Sequence, residues 1–319
     1  MVGGAGRGVE RIPGRRVTGL ARLALGSFLV LSLLGLAACR SASTVVSGGV
    51  IRVVAAENFW GSIATQLGGT HVSVLTIISG SNVDPHEYES TAADARAFAQ
   101  ANYVILNGAG YDSWAQKLLD ANPVSGRKVL NVADLLGKKQ GDNPHFWYSP
   151  DYVAQVIAQV TADYQSLDAN DAQYFADQQT AFNGALNRYH QLIASIGQTY
   201  SGVKVGSTES IFVYLASALG LDLISPPAFM NAVSAGNDPP AASVAQFHQQ
   251  IVDRQVAVLV YNVQTATLVT TNIKQLAESS GIPTIGISET IVPAGASFQD
   301  WQSAQLQALE DALKASTGR

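Results

Sequence analysis

The sequence has one cysteine in 319 residues, Cys39. An intrachain disulfide is therefore excluded, and no soft sulfur is at hand to select copper(I). It also lacks a basic excess. The whole chain has 19 basic and 24 acidic residues, and the first 38 residues hold 5 and 1 of them, which leaves 14 against 23, or −9 with histidine neutral. A clearly acidic surface argues against nucleic acid as partner and suits a domain that meets cations. No internal repeat or low-complexity block is present, and no His-Glu-x-x-His pattern that would mark a zinc hydrolase. The one long apolar run, Leu20 to Leu36, is broken by Arg22, Gly26, Ser27, Ser32 and Gly35, a composition that argues against a membrane-spanning anchor.

What is present begins with that run. Arg7, Arg11, Arg15, Arg16 and Arg22 make a basic leader, the apolar stretch follows, and Leu36-Ala37-Ala38 leads directly to Cys39. Basic, apolar and small-residue regions in that order read as a secretory signal over residues 1–38. The setting of Cys39 is similar to a bacterial lipobox, which implies a diacylglycerol on its sulfur. Acyl chains contribute roughly 0.8 kcal/mol per buried methylene, so the lipid would hold the protein at the membrane without a spanning helix. Residues 39–49 then form a flexible tether. Arg15-Arg16 is the dipeptide of a twin-arginine export signal, but the residues after it fit that signal poorly.

From residue 50 the chain alternates short β-branched runs with amphipathic segments: strands over 50–55, 72–78, 103–106 and 128–132, with helices between them. Such alternation implies a parallel sheet covered on both faces. From Pro150 the pattern turns helical. Apolar residues at Tyr174, Phe182, Ala185, Tyr189, Leu192 and Ile196 keep one face buried for about 27 residues, roughly 40 Å of helix. Past Gly197 the alternation resumes, with strands over 203–207, 221–224, 256–261 and 284–287, a proline-bounded loop over 226–240, and a closing helix from Phe298. The expected organisation is an α/β lobe over 50–165, one long spine helix over 166–200 and a second α/β lobe over 201–319.

Open parallel sheets bind ligands beyond the carboxyl ends of their strands. In the first lobe those positions hold Asp84-Pro85-His86-Glu87-Tyr88 and Asn143-Pro144-His145-Phe146-Trp147. Proline fixes its own φ and restricts the residue before it, so both imidazoles, His86 and His145, are presented from stiff loops. In the second lobe Thr208-Glu209-Ser210 and Ser288-Glu289-Thr290 place a carboxylate two residues past an apolar strand, twice. Taken alone, Glu209 could equally complement the dipole of the helix that follows it, and Glu289 could simply be solvated. Together, two neutral imidazoles and two carboxylates balance a dication of the manganese, iron or zinc class. Single-oxygen binding by each carboxylate would give a tetrahedral zinc site, and two-oxygen binding would suit manganese or iron. Because these ligands must be deprotonated, affinity should fall as pH drops below about 6. His71, His190 and His248 read as structural, and Phe59, Trp60, Tyr88 and Trp147 as packing around the cleft.

These four segments in this order, with Asn107-Gly108-Ala109-Gly110 between them, resemble the TroA-like and ZnuA-like metal receptors of ABC importers. The likeness runs from Val50 to Leu313. It implies two lobes, each with a parallel four-stranded sheet covered by helices, joined by one long spine helix. The implied protein is a monomeric, lipid-anchored, extracytoplasmic receptor, not an enzyme, that delivers one Mn2+ or Zn2+ (or Fe2+) to a permease and its ATPase. His86, His145 and Glu209 match the family's first three ligand positions. Glu289 stands where an aspartate is usual, and no histidine lies between Val124 and Asp142, where zinc receptors often carry a histidine-rich loop. A zinc hydrolase with an open metal site and a surface adhesin (cell adhesion being a label this family often carries) are the competing expectations.

Overall fold

The computed structural model describes residues 49–80 and 88–319. The expected signal over 1–38, the expected lipid site Cys39, the expected tether up to residue 48 and the candidate ligand His86 lie outside the described residues. In the first lobe, β1 (Ile51–Glu57), β2 (Val72–Ile78), β3 (Tyr103–Leu106) and β4 (Lys128–Asn131) are linked through α1 (Asn58–Gly68), α2 (Ala92–Gln100) and α3 (Ser113–Ala121), and α4 (Val132–Leu135) follows β4. The second lobe comprises β5 (Lys204–Ser207), α8 (Val213–Ala218), β6 (Asp222–Leu223), α9 (Pro227–Ser234), α10 (Ala241–Val252), β7 (Leu259–Asn262), α11 (Leu268–Ser279) and β8 (Thr284–Ile287), and the chain closes with α12 (Phe298–Thr317).

The two sheets share one topology. Strand order is β2-β1-β3-β4 in the first and β6-β5-β7-β8 in the second, and every pairing is parallel. In each, the chain leaves the central strand to one side and returns on the other. The crevice outside the carboxyl ends of β1 and β3, or of β5 and β7, is therefore the switch point at which such sheets hold ligands. Both faces of each sheet are apolar, as parallel sheets require. Val53, Ala55, Tyr103 and Ile105 point into one cluster while their neighbours Val54, Ala56, Val104 and Leu106 point into another. In the second lobe Val205, Val258, Val260 and Ile285 join the same cluster as the first group, and Leu259 packs with Phe229, Phe247 and Ile273 on the opposite face. One apolar core thus runs through both lobes.

Between the lobes lie α5 (Pro150–Leu167), α6 (Ala172–Ala185) and α7 (Asn187–Tyr200). Ser149 starts α5 by accepting from the Tyr152 N–H, with Pro150 at the first helical position, where its fixed φ is pre-organised. The run expected as one helix is parted at Leu186, which keeps a right-handed backbone (φ −76°, ψ −4°). The hydrogen-bond ladder continues across it, since Leu186 N–H donates to the Phe182 carbonyl at 3.1 Å and His190 N–H to that of Leu186 at 3.0 Å. Gly184, one turn's edge away, has no Cβ to stiffen the step.

Residues 226–240, read from sequence as a loop, contain α9. Pro227 sits in its first turn, and Phe229, Met230 and Val233 bury one face, a spacing of one helical turn that the flanking prolines obscure. The lobes are also laced together away from α6 and α7. Ile291 N–H donates to Asn58 Oδ1 (3.0 Å), Phe298 N–H to Ser62 Oγ (3.0 Å), and Gln66 and Gln299 exchange amide hydrogen bonds at 3.1 and 2.8 Å. Among the described residues no helix is long and apolar enough to cross a membrane.

Candidate metal centre

His145, Glu209 and Glu289 come from three separated stretches of chain and converge with one ligand atom each inside a 4.8 Å sphere of mutual distance. All three are fully buried. His145 Nε2 faces Glu209 Oε1 and Glu289 Oε1, each at 3.3 Å. Of the four residues singled out by sequence, the structure brings these three together, and His86 lies outside the described residues.

Each donor is held by its own loop. The Asn143 side-chain oxygen accepts from the His145 N–H (3.1 Å) and lies 2.6 Å from His145 Nδ1. That contact places a proton on Nδ1 and turns Nε2 toward the carboxylates, the arrangement of a metal-ligating histidine with an outer partner. Asn143 is itself fixed from the other lobe, donating to the Ser210 carbonyl (2.8 Å) while its own carbonyl accepts from Tyr214 OH (2.9 Å). The Trp147 ring stacks on Phe59 at 4.0 Å and sits edge-on to His145. Phe59 and Trp147, expected as packing, are therefore the dry wall behind the imidazole, whereas Tyr88 packs against Trp114 on the other face of the first sheet.

The carboxylates are anchored by matching serine turns. Ser207 Oγ donates to the Glu209 carbonyl (2.7 Å), and Ser288 Oγ donates to that of Thr290 (2.8 Å), each two residues onward. Their side chains are joined by a residue the sequence reading passed over. Asn262, at the end of β7, donates from Nδ2 to both Glu209 Oε2 (2.5 Å) and Glu289 Oε1 (2.6 Å), and its Oδ1 accepts from the Gln264 N–H (3.0 Å). Thr265 OH adds a second bond to Glu209 Oε2 (3.0 Å), and Tyr111 OH donates to Glu289 Oε2 (2.9 Å). The rule that found Glu209 and Glu289, a polar residue directly after an apolar strand, also points to Asn262. Nothing local marks Tyr111 or Thr265.

The outcome is one oxygen, Glu209 Oε1, that Asn262 and Thr265 leave unbonded and that faces His145 Nε2 at 3.3 Å. Burial alone would push the His145 imidazole down. The Glu289 and Glu209 charges and their hydrogen bonds outweigh it and hold the ring up to about 10. Burial likewise favours the neutral form of Glu209, but His145, Asn262 and Thr265 together hold its carboxyl below the usual range. An imidazolium between two carboxylates leaves the buried site with one negative charge in excess. A dication replacing the imidazole proton would bring it to neutrality.

A second buried acid pair lies at the first lobe's switch point. Glu57 ends β1 and Asp112 precedes α3, and both are buried. Asp112 accepts from the Asn107 N–H (2.6 Å) and the Gly108 N–H (2.9 Å). Burial, reinforced by the Asp112 charge and hydrogen bond, raises Glu57 well above the usual carboxylate range. Burial pushes the Asp112 carboxyl up as well, opposed by those two backbone N–H groups.

Beside the centre a cleft of about 620 Å³ opens between Gly110, Tyr111, Asp142 and Asn143 of one lobe and Ser210, Asn231 and Ala235 of the other. Tyr111 forms part of its wall while its hydroxyl holds Glu289, so it separates the cleft from the buried donors.

Residues 53–312 match the family described as zinc-uptake complex component A, periplasmic. The manganese-binding lipoprotein MntA of Halalkalibacterium halodurans is 24% identical over 208 residues, covering 62% of this chain and 68% of that protein. The high-affinity zinc uptake system protein ZnuA of Bacillus subtilis is 21% identical over 260 residues, covering 75% and 80%. In fold, the chain is similar to the Mn-bound periplasmic metal binding protein of candidatus liberibacter asiaticus, with a TM-score of 0.68 at 19% identity over 82% of this chain and 99% of that one.

Proposed function

Because the chain belongs to the family of periplasmic zinc-uptake component A proteins, whose members are substrate-binding proteins and not enzymes, we propose that it captures a divalent metal ion, Zn2+ or Mn2+, outside the cytoplasm and delivers it to the permease and ATPase of an ABC importer. The observation that carries this reading is the buried His145–Glu209–Glu289 cluster, with Glu209 Oε1, Glu289 Oε1 and His145 Nε2 converging on one point. His86, from the first lobe's other proline-histidine loop, is the fourth donor in this proposal. Lipid at Cys39 would hold the receptor at the membrane beside its permease.

The hydrogen bonds bear on which ion is taken. Glu209 Oε2 is occupied by two donors and Glu289 Oε2 by Tyr111, so each carboxylate has one oxygen directed at His145 Nε2. Two single-oxygen ligands and two imidazoles make the tetrahedral set of zinc. Manganese would require a carboxylate to give up its outer bonds and bind through both oxygens.

A hydrolase is disfavoured on the same geometry. Glu289 is pinned by Asn262 and Tyr111 beside His145 with no exposed surface, which leaves neither a free general base nor room for a substrate. Release is assigned to small lobe shifts on docking to the permease, since hydrogen bonds across both α1–α12 and Asn143–Ser210 oppose wide opening. Metal-free and metal-loaded structures related by a wide hinge rotation would refute that part.

The test of the function is elemental analysis of protein loaded from mixed Mn2+ and Zn2+, with Glu209→Ala and Glu289→Ala alongside. One equivalent in the parent and loss in both variants is the expected result. Full stoichiometry and affinity in both variants would show the site to be misassigned.

A further inference from the structure

Away from this centre, three other donors converge. His71 lies in the short 3-10 turn that precedes β2, and Asp168 and Asp171 lie in the connection where α5 hands over to α6. One ligand atom from each falls within 4.8 Å of the others. Donors about 2.1 Å from an ion stand roughly 3.4 Å apart in tetrahedral geometry and about 4.2 Å apart across an octahedron, so a small contraction closes this set on a metal. The position is distinct from the His145 cluster. His71 stands at the amino edge of the first parallel sheet, whereas His145, Glu209 and Glu289 follow strands at the carboxyl edges.

A cluster of this kind can be no more than a surface ion pair, and part of it is one: His71 Nδ1 lies 3.0 Å from Asp171 Oδ2, with both side chains partly exposed. Asp168 is different. It is 4% exposed, its Oδ1 has no hydrogen-bond partner, and among the described residues no lysine or arginine pairs with it. A buried carboxylate oxygen without a partner is costly, and a bound cation is one of the few things that removes the cost. The imidazole is also prepared. Its ring stacks on Tyr174 at 3.9 Å with 23° between planes, and Tyr174 OH accepts from the Thr70 N–H at 2.9 Å, which fixes the residue before it. Sequence alone read His71 as structural.

We propose that His71, Asp168 and Asp171 form a second divalent-cation site of the zinc class, independent of the transported ion. One nitrogen and two oxygens, with water completing the shell, is a borderline donor set that takes zinc ahead of manganese. An ion there would tie the entry of β2 to the junction of α5 and α6 and so brace the first lobe against the helices that link it to the second.

The test is zinc titration of the full chain, with bound metal counted after removal of excess. The parent should hold two equivalents. His71→Ala and Asp168→Asn should each hold one, His145→Ala should hold one, and His71→Ala combined with His145→Ala none. Zinc should also raise the Tm of the His145→Ala protein, and that rise should vanish in the double variant. A parent that holds a single equivalent, or His71→Ala and Asp168→Asn proteins that still hold two, would overturn the proposal and leave a plain His–Asp ion pair. Since His71→Ala and His145→Ala remove different equivalents, failure here is distinguishable from failure of the transport site.

Discussion

The two lobes share strand order and handedness, yet their carboxyl edges carry opposite electrostatic solutions. In the second lobe, Asn262 donates to both Glu209 and Glu289, Thr265 and Tyr111 add one bond each, and His145, Asn262 and Thr265 hold Glu209 below the usual carboxylate range. In the first, Glu57 and Asp112 occupy the corresponding crevice, where burial raises both carboxyls and two backbone N–H groups oppose it at Asp112. The same topology therefore brings two acids onto a histidine where a side-chain amide links them, and leaves an acid pair raised by burial where none does. What distinguishes them is the donor shared between the two carboxylates, not their depth, since all four are buried.

The comparison can be broken most strongly at the bridging amide. Asn262→Leu removes donors from both carboxylates at once and keeps the volume, so metal affinity should fall by about 10- to 100-fold, as for loss of an outer ligand partner. Equilibrium competition with a chelating dye measures it, and an unchanged affinity would mean the two acids are set by their loops alone. Asn143→Ala frees Nδ1 of His145 and cuts one bond between lobes, and a loss of roughly tenfold is expected. If Asn143→Ala weakened binding more than Asn262→Leu did, the imidazole and not the carboxylates would be the dominant element.

Proton competition tests the second lobe's charges directly. With His145 held up to about 10 in the metal-free protein, it is protonated at neutral pH. Metal uptake should then release about one proton, and affinity should rise by about a decade per pH unit up to that value. This moves the onset of competition well above the pH of about 6 expected from isolated ligands. The raised imidazole also stabilises the metal-free fold fully below about 6.5, the unfolded value, and that contribution is lost as pH rises through about 10. Calorimetry in buffers of different ionisation enthalpy counts the proton; a count near zero would contradict the assigned charge state.

The smallest effect belongs to the first lobe. Burial raises the Glu57 carboxyl well above the usual range, so the neutral isostere in Glu57→Gln should change stability by less than about 1 kcal/mol at pH 4.5. Its folded value is raised, so the native form's advantage is present below about 4.3 and is lost as pH rises. The variant should gain Tm over the parent as pH increases. A Tm difference that stays flat from pH 4.5 to 8 would contradict the raised Glu57 carboxyl.

Much of this was legible in the sequence. Apolar runs bounded by turn residues gave β2, β3 and β8 their ends, because a parallel strand buried on both faces needs an unbroken apolar stretch. Proline before each histidine, and a glutamate two residues after each strand, picked out His145, Glu209 and Glu289. Asn262 was missed because an asparagine after a strand reads as a turn former, and its function exists only once β5 and β8 lie on either side of β7. The break at Leu186 was missed because the apolar spacing runs across it undisturbed.

By itself, then, the sequence determined the two-lobe parallel architecture and singled out His145, Glu209 and Glu289, since periodicity and residue type are local properties. Only the tertiary structure decided that these three side chains converge, which carboxylate oxygens face His145, that Glu57 lies buried beside Asp112, and that His71 meets Asp168. Those depend on distances between residues up to 178 positions apart, as between Tyr111 and Glu289, and such distances are fixed by packing of whole elements rather than by any stretch of chain.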